Sequence, residues 1–443
     1  MSYILHRKVD QEYPGIVRGD GVWAQDSQGR WFLDAISGGA AVSSIGLTNA
    51  RVRNAIAEQL DAIPFYHTTS FTSEPAEALA EDLIVNQAPD RMARVLYCSG
   101  GSEAIEMALK VARQFWVERG EPGKSRIIAR RQSYHGATLG ALAIGGNQRR
   151  RETYAPLLFD ASLIDPCYSY RFQRDGETDE DYGRRAADAL EAEILRLGAE
   201  NVACFIAEPV VGATLGSVPA APGYLQRIRE ICDRYDILLI LDEVMCGSGR
   251  TGYAHACLED GVSPDILALA KGLGGGFQPL GAVLVSSEIA DAFRQGSGLV
   301  KHGYTYMGHA AACSAALAVR REIRDNNLLE NVAQRGSQLT SALERRLGDH
   351  PHVGNIRGRG LLVGIELVRD VTTKEPFPEA RPLAEDIKQQ AFQHGLLVYP
   401  GSGTADGENG HHVLLAPAYT VSEEEIEEIV VRLERTLDSV FAQ

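Results

Sequence analysis

Short apolar runs alternate with longer amphipathic stretches through the middle of the chain. From about residue 95, runs such as RVLYCSG, RIIARR, NVACFIAEP, ILLILDEV and DILALAK are separated by stretches of helical periodicity, such as SEAIEMALKVARQFWVERG and YLQRIREICDRY. Short apolar runs bounded by turn signals predict buried strands. Their alternation with helices is typical of a mostly parallel sheet covered by helices. The pattern therefore predicts an α/β fold.

The alternation ends near residue 325 and a different pattern follows. A long amphipathic stretch, NNLLENVAQRGSQLTSALERRLGD, precedes two short apolar runs, and the chain closes on SEEEIEEIVVRLERTLDSVF. This order predicts a separate α+β domain. Near the N-terminus, GVWAQDSQGRWFLDAISGG has the pattern of a hairpin. We predict an N-terminal segment at 1–60, a large domain at 61–325 and a small domain at 326–443.

Charged side chains follow several of the predicted strands directly. ILLILDEV ends in Asp242 and Glu243, CFIAEP ends near Glu208, and ILALAK ends in Lys271 before a cluster of glycines. In open α/β sheets, ligands bind at the carboxyl ends of the strands. A carboxylate placed so deep must be ion-paired or hydrogen-bonded. Considered alone, Lys271 could also be an ordinary lysine at a strand end, whose aliphatic stem lies on apolar surface while its ammonium reaches solvent.

A glycine-serine turn follows another strand and opens a predicted helix. In VLYCSGGSEA, the residues Gly100, Gly101 and Ser102 precede the first helical turn. Unpaired amides and the helix dipole at such a position attract phosphate. The alternative is a simple helix cap, because Ser102 followed by Glu103 and Glu106 also suits that role.

A second glycine motif, GSGRTG at 247–252, follows the strand that ends in Asp242. It matches the spacing of dinucleotide-binding loops, in which the glycines open a helix and an acidic residue follows about 20 positions later. Here TGYAHACLEDGVSPD has the pattern of an irregular loop, and Lys271 occupies the next strand end. The sequence therefore disfavours a nicotinamide dehydrogenase.

Composition narrows the class of partner. The chain has 443 residues, 44% of them hydrophobic and 23% charged, with a net charge of −15. This length predicts two or three subdomains with a large core. An acidic surface disfavours nucleic acid and anionic membranes as partners, since both attract basic proteins. We expect a small-molecule ligand.

Cysteine and histidine spacing gives no sign of a metal site. The seven cysteines include no CxxC pair, which suits reduced thiols better than a disulfide framework. The histidines lack metal-ligand spacing, so we favour structural or hydrogen-bonding roles for His135, His302, His309, His411 and His412. No window approaches the roughly 20 apolar residues of a membrane span. We therefore expect a cytoplasmic protein without a metal.

One chemistry uses all of these strand-end features. A cofactor with an aldehyde, a pyridine ring and a phosphate would form a Schiff base with Lys271, keep its ring nitrogen protonated beside Asp242, and place its phosphate in the glycine-serine turn. A partly desolvated lysine has a lowered pKa and is a better nucleophile. The features together favour pyridoxal phosphate.

Six segments in order carry a resemblance to a known family. SGGSEAIEMALK, SYHGAT, IAEPVVG, LILDEVMCGSGRTG, LALAKGLGGGFQPLGAV and HGYTYMGHA resemble the class III pyridoxal-phosphate-dependent aminotransferases of fold type I, including the omega-aminotransferases. The resemblance spans nearly the whole chain. It implies a large domain with a mostly parallel seven-stranded sheet between helices, and a small α+β domain formed by the C-terminal part with the N-terminal segment.

The resemblance also implies a role for individual residues. Lys271 corresponds to the Schiff-base lysine and Asp242 to the partner of the pyridine nitrogen. The other implied contacts are Val244 and Tyr134 on the two ring faces, Gly101 and Ser102 at the phosphate, Glu208 near the phenolic oxygen, Thr305 at the phosphate of a neighbouring subunit, and Tyr66 with His67 in the substrate pocket. A crossing Thr305 implies a homodimer with shared active sites, which could pair into a tetramer. Taken singly, Tyr134 and Val244 could also be ordinary core residues, and Thr305 could cap a turn.

The implied reaction moves an amino group from a primary amine, an omega-amino acid or a diamino compound to a 2-oxo acid such as pyruvate or 2-oxoglutarate, with ping-pong kinetics. Racemases, an aminomutase and a decarboxylase share the resemblance, and a non-catalytic binding protein is a further alternative.

Two departures from the family concern the substrate. Many relatives have G-H-x-x-P where this chain has GLTNA at 46–50, and many have a mobile arginine in the C-terminal domain, whereas residues 398–426 contain none. An arginine fork is the usual partner of a carboxylate. Its absence favours a donor with an uncharged or cationic tail. Arg357 and Arg359 are available but could pair within the C-terminal domain.

Overall fold

A central sheet and two smaller sheets organise the protein in this computed structural model, which describes residues 3–442. The strands are, in chain order, β1 (Ile16–Asp20), β2 (Trp23–Asp26), β3 (Trp31–Asp34), β4 (Met92–Cys98), β5 (Arg126–Arg130), β6 (Ser162–Ile164), β7 (Val202–Ala207), β8 (Val210–Val211), β9 (Val218–Pro219), β10 (Leu238–Asp242), β11 (Ile266–Leu269), β12 (Gly281–Ser286), β13 (Val353–Arg359), β14 (Leu362–Asp370), β15 (Glu375–Pro376), β16 (Leu396–Leu397), β17 (Tyr399–Ser402) and β18 (His411–Leu415). The α-helices are α1 (Ala50–Ala62), α2 (Glu74–Val85), α3 (Gly101–Glu118), α4 (Leu139–Ile144), α5 (Gln148–Glu152), α6 (Ser169–Phe172), α7 (Asp179–Leu197), α8 (Tyr224–Arg234), α9 (Ser287–Gln295), α10 (Ala310–Asp325), α11 (Leu328–Leu347), α12 (Leu383–Gln393) and α13 (Glu423–Phe441).

The central sheet has seven strands in the order β4-β12-β11-β10-β7-β5-β6. Strand β12 runs antiparallel to both of its neighbours, and the other pairings are parallel. The α/β architecture with a mostly parallel sheet, predicted from the pattern, and the seven strands implied by the family resemblance are confirmed. Because β10 and β11 are parallel neighbours, the residues that follow them emerge at the same edge of the sheet.

Both faces of this sheet are covered by helices. In β10, Leu238 and Ile240 pack into a cluster with α3, α4 and α9, whereas Leu239 and Leu241 pack on the opposite face with α7 and α8. Alternate residues of a strand point to opposite faces, so a strand buried on both sides is apolar throughout. This explains the uninterrupted apolar runs of the sequence. Within residues 3–442, no helix has the length and apolar character needed to cross a membrane.

A second unit follows α10. Strands β13, β14, β18 and β17 form an antiparallel sheet, and α11, α12 and α13 pack with it in a common apolar cluster. Helix α13 begins with a capping box in which Ser422 Oγ accepts from the backbone N–H of Glu425 and Glu425 Oε2 accepts from that of Ser422. Such a box satisfies two otherwise unpaired amides. The two long helices predicted after residue 325 correspond to α11 and α13.

The N-terminal segment contacts both units. Strands β2 and β3 form the predicted hairpin, and β3 pairs in parallel with β16 from the C-terminal part. Helix α1 instead packs along α10, which directly follows the segment that contains Thr305. The domain boundaries at 60/61 and 325/326 stay predictions.

Candidate active site

A cavity of about 380 Å³ lies at the carboxyl edge of the central sheet. Its volume falls within the range usual for small-molecule sites. It brings together seven residues that the sequence analysis selected: Gly101, Ser102, Tyr134, Glu208, Asp242, Val244 and Lys271. His135, which was not assigned to the site, also lines the cavity.

Asp242 is the last residue of β10 and is 4% exposed. Its Oδ2 lies 2.8 Å from His135 Nδ1, and its Oδ1 accepts a hydrogen bond of 2.9 Å from the backbone N–H of Val244. An ionised carboxylate only accepts, so His135 Nδ1 carries the proton of this bond. Each carboxylate oxygen retains a lone pair, and a cationic N–H within the cavity would complete the compensation of the buried charge.

The hydrogen bond between His135 and Asp242 was not predicted. The sequence places His135 next to Tyr134 in SYHG, but its partner lies 107 residues further along the chain. His135 Nε2 is buried without a hydrogen-bond partner among the described residues. The adjacency to Tyr134 was the one signal that could have assigned His135 to the site.

The two neighbouring acids Glu208 and Glu243 occupy different environments. The Glu208 carboxylate lines the cavity and accepts hydrogen bonds from the backbone N–H groups of Tyr134 (3.1 Å) and Gly212 (3.2 Å). Burial raises its pKa, and the charge of Asp242 acts in the same direction. Glu243 is not among the residues that line the cavity, because adjacent residues of the chain point to opposite sides.

Glu243 instead fixes the loop that follows β10. Its two carboxylate oxygens accept hydrogen bonds of 2.7 Å from the backbone N–H groups of Ala256 and Cys257. Burial raises the pKa of Glu243 to about 7. Both acids of ILLILDEV therefore have the partners that we expected. Asp242 pairs with His135 at the cavity, and Glu243 accepts hydrogen bonds from backbone amides behind it.

Lys271 begins a tight turn after β11. Its backbone has φ of +46°, a left-handed conformation that costs energy for a residue with a side chain. Its carbonyl oxygen accepts from the N–H groups of Gly274 (3.1 Å) and Gly275 (3.0 Å). Burial lowers the pKa of Lys271, and the Asp242 and Glu208 carboxylates partly offset this effect. A neutral amine is thus more accessible to Lys271 than to a lysine in water.

The glycines around the cavity are required by close approaches. A Cβ atom on Gly101 would lie 2.7 Å from Val244 Cγ1, and one on Gly276, where φ is +82°, would lie 2.9 Å from Ser43 Oγ. Side chains at these positions would collide with Val244 and Ser43. The glycine at 276 thus allows the chain after Lys271 to fold closely around the site.

Helix α3 begins at the cavity with Gly101 and has no side-chain cap. Ser102 lies within the helix, and its hydroxyl accepts from the backbone N–H of Ala137 at 3.0 Å instead of capping α3. The simple-cap alternative for Ser102 is therefore wrong. An uncapped helix N-terminus that opens on a cavity can bind an anion.

Three predicted site residues lie away from this cavity. Thr305 is exposed at the start of a turn, and His67 is exposed with Nδ1 3.0 Å from Thr69 Oγ1. Tyr66 lines a second cavity of about 370 Å³ with Phe71. Within the one described chain, none of the three lines the cavity of Lys271. Their roles stay predictions.

The GSGRTG segment at 247–252 contacts the small unit through Arg250. Arg250 is 1% exposed and donates to the carbonyl oxygens of Leu361 and Pro417 and to Ser37 Oγ. The segment consists of turns and opens no α-helix. The structural basis for a dinucleotide site is therefore missing at 247–252.

The cavity can accommodate a cofactor of the predicted kind. A lysine of lowered pKa and a buried carboxylate with free lone pairs meet an uncapped helix N-terminus, and an aromatic ring and an aliphatic side chain complete the wall. Together with the sheet topology, this set defines a pyridoxal-phosphate-dependent enzyme of fold type I.

The chain belongs to the class III aminotransferase family, whose profile, described as aminotransferase class-III, matches residues 4–437. An uncharacterised aminotransferase of Schizosaccharomyces pombe is 43% identical over 442 residues, covering 100% of this chain and 96% of its own. The putrescine–pyruvate aminotransferase of Pseudomonas aeruginosa is 34% identical, covering 96% of this chain and 91% of its own. The PLP-bound structure of an amine transaminase from an uncultivated Pseudomonas species covers 99% of both chains at 37% identity, with a TM-score of 0.93. The cofactor is pyridoxal 5′-phosphate.

The lowered pKa of Lys271 predicts an unusual reactivity in the enzyme stripped of cofactor. Because burial favours the neutral amine, Lys271 should become acylated with a midpoint below 10.5, the ordinary pKa of lysine. Trace labelling with acetic anhydride over a series of pH values, followed by peptide mapping, gives this midpoint. The same peptide from urea-unfolded protein is the control. A native midpoint at or above the unfolded one would contradict the desolvation of Lys271.

Proposed function

We propose that this aminotransferase transfers the amino group of a primary amine, an omega-amino acid or a diamino compound to a 2-oxo acid such as pyruvate or 2-oxoglutarate, with Lys271 as the catalytic lysine. The observation that carries the proposal is the shared cavity of Lys271 and Asp242 at the ends of two adjacent parallel strands. Transfer between an amine and a keto acid is the general reaction of the family.

The residues of the cavity would each hold one part of the cofactor. Asp242 would hold the ring nitrogen, and the uncapped start of α3 at Gly101 and Ser102 would hold the phosphate. Tyr134 and Val244 would flank the ring. Glu208 would lie near the phenolic oxygen, and burial together with the charge of Asp242 raises the pKa of Glu208.

When bound, pyridoxal phosphate supplies an aldehyde that reacts with amines and a protonated ring that withdraws electrons from the substrate carbon. Asp242, fixed by His135 and by the amide of Val244, holds the proton at the ring nitrogen. Lys271 Nζ accepts a proton from the substrate carbon and later returns a proton. The lowered pKa of Lys271 suits both roles, because the neutral amine must be accessible near neutral pH.

The donor specificity rests on two lines of support. Relatives include enzymes named putrescine–pyruvate aminotransferase and gamma aminobutyrate transaminase, so the family accepts amines distant from an α-carboxylate. The arginine-free segment 398–426 favours a donor with an uncharged or cationic tail. A racemase, aminomutase or decarboxylase would use the same cavity, but the relatives quoted above are named for amino transfer.

Borohydride reduction tests the assignment of Lys271. We expect reduction of the holoenzyme to fix the cofactor covalently on the peptide that contains Lys271, as shown by mass spectrometry after digestion. Lys271→Ala should lose this label and reduce turnover roughly 100- to 10,000-fold, the usual range for a missing acid–base group. Lys110→Ala, on the outer part of α3, is the matched control. Label on another lysine, or none, would contradict the proposal.

We also propose that the enzyme is a homodimer with shared active sites. Tyr66, Phe71 and Tyr306 are each more than half exposed in the single chain, and the ring of Phe65 lies 5.3 Å from that of Tyr306. A contiguous exposed aromatic surface of this kind marks an interaction site. It lies beside Thr305, which supports the crossing of Thr305 to a neighbouring subunit. The cytoplasmic location stays a prediction, and the seven free, buried cysteines are consistent with it.

Light scattering during size-exclusion chromatography tests the oligomeric state. We expect the active holoenzyme to have twice the mass of one chain, or four times that mass if dimers pair. The aromatic surface beside Thr305 should then be covered. A fully active monomer would contradict the shared site.

A further inference from the structure

Three consecutive arginines in the short helix α5 have very different surroundings. Arg149 forms an ion pair of 2.6 Å with Glu379 and donates to Ser402 Oγ at 3.0 Å. Arg151 donates to the carbonyl oxygen of Gly145 at 3.1 Å. The guanidinium of Arg150 is half-buried and has no hydrogen bond or ion pair with any described residue.

Arg150 lies over the ring of Tyr134, a residue of the active-site cavity wall. Its guanidinium carbon lies 4.5 Å from the centre of the Tyr134 ring, and Tyr134 lines the cavity with Lys271. Arg149 and Arg151 line a separate cavity of about 640 Å³, in whose wall Arg150 takes no part. Arg150 is therefore a positive charge with no polar partner, one aromatic ring away from the reaction site.

The acceptor of the proposed reaction brings a carboxylate to this cavity. Every catalytic cycle admits a 2-oxo acid, whose carboxylate must leave water. Among the described residues (3–442) that line the cavity, Lys271 is the only lysine or arginine, whereas Asp242 and Glu208 supply carboxyl groups. Lys271 is committed to proton transfer. The carboxylate of the acceptor thus lacks a partner within the cavity wall itself.

Other buried arginines are already engaged. Arg130 donates to the carbonyl oxygen of Glu208, and Arg250 donates to carbonyl oxygens of the small unit. Arg357 pairs with Glu366 at 2.8 Å and Arg359 with Asp260 at 2.6 Å. Arg357 and Arg359, which the sequence left as candidates, are thus used within the fold.

We propose that Arg150 binds the carboxylate of the 2-oxo acid acceptor and so determines the specificity of the second half-reaction; this inference rests on the proposed function. Stacking on Tyr134 keeps the guanidinium plane near the cavity without occupying its five N–H donors. A planar fork can bind a carboxylate through two parallel hydrogen bonds.

The test compares acceptors with and without a carboxylate. Enzyme loaded with pyridoxamine phosphate is mixed with pyruvate or with butanal, and the change in cofactor absorbance gives the rate constant of this half-reaction without any donor. Arg150→Gln should lower the second-order rate constant for pyruvate roughly 10- to 100-fold, the value of a charge-assisted hydrogen bond. The rate constant for butanal should change by less than about twofold, within the range of a neutral surface change.

Two further variants sharpen the comparison. Arg150→Lys keeps the charge but not the fork, so it should retain much of the pyruvate rate that Arg150→Gln loses. Arg435→Gln removes an exposed arginine of α13 whose side chain has no partner within residues 3–442, and it should behave as wild type with both acceptors.

The outcomes distinguish the role of Arg150 in carboxylate binding from the proposed aminotransferase function. Equal losses for pyruvate and butanal in Arg150→Gln would show that Arg150 only supports Tyr134, and an unchanged pyruvate rate would show that it binds no carboxylate. Either result overturns the inference while the function stands. Wild-type enzyme that transfers an amino group to none of pyruvate, 2-oxoglutarate and butanal would instead refute the proposed function.

Discussion

The site depends on a carboxylate that the fold keeps out of water. Asp242 is almost fully buried, and an ionised carboxylate in such a place is costly unless each oxygen has a partner. His135 and the amide of Val244 supply one partner each, and both also line the cavity. A positive ring nitrogen would add an opposite charge beside the two hydrogen bonds. A buried acid prepared in this way favours the protonated cofactor over any neutral ligand.

The parallel sheet turns this local constraint into a reaction site. Strands β10 and β11 are apolar throughout because helices cover both faces, and their carboxyl ends leave the sheet side by side. Asp242 and Lys271 therefore reach one cavity without any long loop. Glu243, one residue further, points away and fixes the loop behind the site through Ala256 and Cys257. The same burial that makes Asp242 costly lowers the pKa of Lys271 and prepares its amine for proton transfer.

The sequence predicts those parts of the site that local pattern controls. Asp242 and Lys271 are recognisable because each lies at the carboxyl end of a strand, and the alternation of strands and helices predicts the sheet itself. The bond from His135 to Asp242 depends on tertiary packing, and so does the pinning of Arg250 by the small unit. Such contacts between distant residues leave no periodic pattern in the sequence. Thr305, Tyr66 and His67 lie outside the cavity of one chain, so only an assembly can bring them to it. Arg150 shows no signal at all in its sequence, because its two neighbours are also arginines.

Turnover of an Asp242→Asn variant tests the central claim most directly. The amide keeps the size of the side chain but cannot hold a protonated ring nitrogen by charge. We predict that the variant retains bound pyridoxal phosphate, while the rate of amino transfer falls roughly 100- to 1,000-fold, as for other lost electrostatic contacts in active sites. Asp349→Asn, at an exposed position, should react like the wild type. Near-wild-type turnover by Asp242→Asn with its cofactor bound would contradict the account.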